Sequence, residues 1–120
     1  MKNRIDACFE KLKAENKKAL VTFITAGDPD MDTTEKCVLE MYKNGSDIIE
    51  IGVPFSDPIA EGATIQKASL RSLSGGTNLD KIFDLVRKLR TQTDKPMLLM
   101  MYINLSLIHI SEPTRPLYIS

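Results

Sequence analysis

Asp47-Ile-Ile-Glu-Ile-Gly-Val53 reads as a short strand whose apolar residues fall on both faces, interrupted only at Glu50. That pattern is expected where helices cover a parallel sheet. Upstream, Ala19-Leu-Val-Thr-Phe-Ile-Thr25 is a second compact, β-branched run, ended by Gly27-Asp28-Pro29. Downstream, the apolar run Met97-Leu-Leu-Met-Met-Tyr102 is the third strand. Between the first two runs, Val38, Met41 and Tyr42 predict one crossover helix. Asp32 and Glu35 stand at capping-box spacing before it, and Asn44-Gly45 marks its end. Between the second and third runs, Ile65 to Leu73 predicts a helix broken by Ser74-Gly75-Gly76. A further helix is capped by Asn78, buries Leu79, Ile82, Phe83, Val86 and Leu89, and stops at Asp94-Lys95-Pro96. Ahead of all these, Ile5, Cys8, Phe9 and Leu12 form one stripe of a short amphipathic helix whose wet face carries Lys11, Lys13, Lys17 and Lys18. The order of strands and helices predicts a parallel α/β fold with right-handed crossovers.

With 120 residues, 42% hydrophobic and 27% charged, the chain has the make-up of one globular domain able to bury a core. Its 16 basic and 16 acidic residues cancel, which argues against nucleic acid or a membrane surface as partner. Met1 to Lys13 mixes charges with single apolar residues and has no secretory pattern, so a cytoplasmic location is expected. Cys8 and Cys37 each lie in a helical pattern with no neighbouring ligand at metal spacing. Both read as reduced core residues, and no metal is expected.

Glu50 is the residue that the strand pattern does not explain. Burying a charge there is costly, and the C-terminal ends of parallel strands open into the active sites of α/β folds. Its position points to function; the other reading is a glutamate that reaches solvent or pairs with a lysine. Glu61 lies in the loop Pro54-Phe-Ser-Asp-Pro-Ile-Ala-Glu-Gly62 and would approach the same mouth only if that loop folds back. Two carboxylates in different environments can supply an acid and a base at neutral pH, but spacing leaves open whether Glu61 is a solvated loop residue. Asp57 followed by Pro58 is first a turn signal.

The segment Glu50-Ile-Gly-Val-Pro-Phe-Ser-Asp-Pro-Ile-Ala-Glu-Gly-Ala-Thr-Ile-Gln66 resembles the signature of the tryptophan synthase alpha subunit family. Phe23-Ile-Thr-Ala-Gly-Asp-Pro29 and Met101-Tyr-Ile-Asn104 extend the resemblance over residues 1–104. It implies a (β/α)8 TIM barrel, of which these residues would supply about three of eight strands. It also implies a lyase of tryptophan biosynthesis that cleaves indole-3-glycerol phosphate to indole and glyceraldehyde 3-phosphate by a retro-aldol reaction. The indole would pass to a beta subunit in an alpha2-beta2 heterotetramer. No metal or organic cofactor is implied for this subunit, with pyridoxal phosphate expected on the beta subunit. Glu50 matches the glutamate that moves the proton at indole C3. Glu61 matches the second acid, usually an aspartate, that accepts the indole N–H; Ala63 stands where a proline is common. Phe23, Ile65 and Met100 match walls of the indole pocket, although each reads equally well as core. Thr25 and Tyr102 match lining or supporting positions. Pro54 to Pro58, with Asp57, is similar to the loop that contacts the beta subunit.

Leu105-Ser-Leu-Ile-His-Ile-Ser-Glu-Pro-Thr-Arg115 resembles the translated read-through of a sequencing-library adapter. Residues 105–120 are therefore expected to be a non-native tail, and His109 to have no catalytic part; the other reading is a genuine C-terminal strand and loop. Such a barrel needs about 250 residues and holds phosphate on loops after its last strands. The chain as it stands is therefore expected to be a truncated piece without catalysis, at most binding a beta subunit. Three strands alone should leave a sheet edge unpaired and the inward strand faces open to water.

Overall fold

A computed structural model of the chain describes residues 3–55, 62–101 and 118–119. Its elements are α1 (Arg4–Ala14), β1 (Val21–Thr25), α2 (Met31–Lys43), β2 (Ile48–Gly52), α3 (Ala63–Ser74), α4 (Leu79–Arg90), β3 (Met97–Met100) and β4 (Tyr118–Ile119). The three runs read as strands form a parallel sheet in the order β1-β2-β3. The Asp47 carboxylate fastens the entry to β1 by accepting the Leu20 N–H at 2.8 Å.

Strand alternation sorts the sheet into two unlike faces. Ile49 and Ile51 of β2 with Met97 and Leu99 of β3 lie on the covered face. They pack against Val38 and Tyr42 of α2 and against Leu79, Ile82, Leu85, Val86 and Leu89 of α4 in one apolar core. Full burial of a side chain of this size stabilises by about 1.5–3 kcal/mol, so this layer drives the fold. The Tyr42 hydroxyl donates to the Pro96 carbonyl in the same layer, and burial pushes its ionisation well above the usual tyrosine range.

Four expectations change. The N-cap of α2 is Asp30, not Asp32. Asp30 has extended backbone, and its carboxylate accepts the Thr33 N–H at 2.7 Å. That bond holds its carboxyl below the usual carboxylate range. Asp32 is already helical and cannot adopt the cap conformation. Glu35 turns instead to Gln92 at 2.9 Å and Lys88 at 3.0 Å, which lower its pKa. Phe9 is exposed rather than on a core stripe, because α1 lies beside the residues leading into β2 and β3 and buries only Leu12. Both cysteines are free, but Cys37 is exposed on α2 and Cys8 only half-buried, with burial and the nearby Asp47 pushing its thiol pKa up. One of the two sheet edges is paired rather than bare: β4 runs antiparallel to β3, Ile119 opposite Met97 and Tyr118 opposite Leu98, while the outer side of β1 has no strand beside it among the described residues, as expected.

Gly27, just past β1, has φ +80, and a Cβ built on it would stand 2.1 Å from Thr77 Oγ1 and 2.6 Å from Ser72 Oγ. Both the left-handed backbone and the close approach exclude a side chain. Gly27→Ala should therefore destabilise by about 2–4 kcal/mol. A urea midpoint unchanged from the parent would contradict this.

Candidate active site

Parallel register puts Phe23, Glu50 and Leu98 in one row across the sheet and Thr25, Gly52 and Met100 in the next. Both rows alternate with the buried Ile49, Ile51, Met97 and Leu99, so they belong to the face that α2 and α4 do not cover. Exposure agrees: Val21 is 43%, Phe23 38% and Met100 48% accessible, whereas Ile49 and Ile51 are at 0%. Glu50 is half-buried at the centre of this open face, the sole carboxylate on the three parallel strands.

The Phe23 ring crosses onto β2. A Cβ on Gly52 would stand 2.5 Å from its Cζ and 2.8 Å from its Cε2. Gly52 thus gives the ring a seat on the same face as Glu50 and two residues along the strand. Leu98 flanks Glu50 from β3. A carboxylate set among apolar walls, one of them aromatic, is suited to exchanging a proton with a flat apolar molecule lying on the sheet.

Of the residues singled out in the sequence, Glu50, Phe23, Thr25 and Met100 therefore share one face. Thr25 is buried at the end of β1, and Pro54 is buried just beyond β2. Ile65 is half-buried in the first turn of α3, off the sheet. Glu61, Asp57, Pro58 and Tyr102 lie outside the described residues. Leu98 and Gly52 were missed. The uniform apolar run Met97–Met100 gave no sign of which face Leu98 takes, while an isolated glycine in a strand is itself a signal of close approach. Among the described residues, no group of three or more His, Cys, Asp or Glu could hold a metal ion. A groove of about 390 Å³ lies at the opposite ends of the strands, between α1 and Asp47, Lys95 and Pro96, and includes none of the residues above.

The sequence profile of the Tryptophan synthase alpha chain family matches residues 9–113. The chain belongs to this family. Among tryptophan synthase alpha chains, that of Geotalea uraniireducens is 58% identical over 102 residues, spanning 85% of this chain and 38% of its own length. That of Geobacter sulfurreducens is 53% identical over 107 residues, 89% of this chain and 40% of its own. The crystal structure of tryptophan synthase subunit alpha from Legionella pneumophila superposes with a TM-score of 0.89 at 41% identity, covering 92% of this chain and 42% of that one. Tryptophan synthase from Mycobacterium tuberculosis superposes at 0.83 with 29% identity, over 91% and 43%. The fold is thus part of a tryptophan synthase alpha TIM barrel, and the chain spans about 40% of the length of the alpha chains it matches. Among the described residues no helix is long and apolar enough to cross a membrane.

Proposed function

We propose that this chain carries the Glu50 half of the acid pair of a lyase that cleaves indole-3-glycerol phosphate to indole and glyceraldehyde 3-phosphate. The observation that carries the reading is Glu50, half-buried on the uncovered sheet face with Phe23 and Leu98 in its row. The indole ring lies against Phe23 and Met100. The Glu50 carboxyl gives its proton to C3, which turns the ring into an indolenine cation. The bond from C3 to the glycerol carbon then breaks, and its electrons return to the ring. The hydroxyl on that carbon gives its proton to the Glu50 carboxylate, now ionised, and becomes the aldehyde. Glu61 accepts the indole N–H and stabilises the positive charge, a role its additional methylene permits only if the loop shifts to keep the carboxylate within hydrogen-bond reach. The subunit works without a metal or organic cofactor, in the cytoplasm. It hands indole to a pyridoxal phosphate-bearing beta subunit in an alpha2-beta2 assembly, contacted through the loop holding Pro54, Asp57 and Pro58.

The direct test joins residues 1–101 to the remaining part of the Geotalea uraniireducens alpha chain and follows indole release from indole-3-glycerol phosphate. Indole formation is expected. A soluble, cooperatively folding chimera that yields none would overturn the assignment.

A further inference from the structure

The row that holds Glu50 has unequal sides. Towards β1 the partner is Phe23, but its ring leaves the row: Cζ and Cε2 lie 2.5 Å and 2.8 Å from where a Cβ on Gly52 would stand. Gly52 is two residues further along β2, roughly 7 Å away at the usual strand rise. The ring therefore roofs the next row, and its stem alone stands beside the carboxylate. Towards β3 the partner is Leu98, about 4.8 Å away at the usual strand spacing. Met97 and Leu99 on either side of it are buried in the core, whereas Leu98 is half-buried and outside that core. Strand parity thus turns Leu98 onto the open face. Tyr118 of β4 follows Leu98 in register, one strand further from Glu50. Towards the strand starts, the next residue of β2 on this face is Ile48, only 3% exposed, so the floor below Glu50 is closed.

We infer that Leu98 is a specificity-determining residue: its side chain bounds the room beside the Glu50 carboxylate and so decides how wide a ring can lie there. What the ring is rests on the function proposed above; the shape of the slot does not. A flat bicyclic ring that meets Glu50 has Ile48 at one end and the Phe23 ring at the other, and its remaining edge turns towards β3. A substituent on that edge must share its space with the two methyl groups of Leu98. One methyl group gained or lost against an apolar wall changes specificity by about 10–200-fold, so a single leucine suffices to choose between ring-methylated substrates.

The test uses forms of indole-3-glycerol phosphate methylated at each ring carbon in turn, in the chimera described above. The parent should turn over one of these isomers with kcat/KM about tenfold or more below that of the unmethylated substrate. Leu98→Ala should restore that isomer to within about threefold and leave the penalties of the others unchanged. Leu98→Val, the milder change should the alanine variant fold poorly, should restore part of it. Leu70→Ala, exposed on α3, should alter no ratio. Relief of no isomer, or equal relief of all, would overturn the role of Leu98. A binding measurement needs no turnover. In the 120-residue chain, the 13C-methyl signal of Met100, exposed on the same face, follows titration with indole and its ring-methylated forms. Leu98→Ala should raise the affinity of one methylindole relative to indole by about fivefold or more. Ratios unchanged from the parent would overturn the slot. If the parent chimera makes no indole while this ratio shifts as stated, the proposed reaction falls and the slot stands.

Discussion

Glu50→Gln in the completed barrel should lower kcat for indole release by about a hundred- to ten-thousand-fold, the range spanned by one general acid or base. Glutamine matches glutamate in shape, so the Phe23 ring on Gly52 and the Leu98 contact row are retained, and only the proton is removed from the reaction. KM should change little, because on the function proposed above the ring rests on apolar walls that the substitution leaves alone. Glu50→Asp, which withdraws the carboxyl by one methylene, should fall between the two. The thermal midpoint of each variant supplies the control: Glu50 is half-buried on an open face, so its replacement should move stability by less than about 1 kcal/mol. A glutamine variant that retains the parent rate would remove Glu50 from the chemistry.

The 120-residue chain by itself should turn over indole-3-glycerol phosphate at least about a thousandfold more slowly than the chimera. In TIM barrels the phosphate group is held by loops after the seventh and eighth strands and by a short helix N-terminus. The parallel strands described here are three, with β4 running antiparallel on the edge of β3. On the function proposed above, binding energy from the remote phosphate pins the ring against Glu50, so losing it should cost rate as well as affinity. The open face adds a second deficit, since water reaches Phe23 and Met100 and screens every charge there. Steady-state assays of both proteins at equal concentration decide the matter. Turnover by the chain within about tenfold of the chimera would show that loops after the later strands are dispensable.

Period and composition made the main elements legible. The short apolar runs, two of them β-branched, gave the three parallel strands, and the apolar stripe from Leu79 to Leu89 gave α4 with its Asn78 cap, which accepts the Lys81 N–H at 2.9 Å. α1 and α2 were visible too, but not how each is used. Stripe logic assumes that a helix lies along a sheet face, and α1 lies elsewhere, leaving Phe9 in water. For α2, capping logic assumes that the first suitable spacing wins, whereas Asp30 was the aspartate with the extended backbone that a cap requires.

The sequence by itself determined the parallel α/β order, the family and the one carboxylate that an apolar strand cannot explain. Those depend on residue type and short spacings, which fold-independent chemistry constrains. Only the tertiary structure decided which face Glu50 shares. Register is a pairing between strands, and the parity that aligns Phe23, Glu50 and Leu98 is absent from any one of them. It also decided that Arg71 meets Asp28 across 43 positions of sequence, a contact that exists only because the end of β1 and the end of α3 are brought together by the fold.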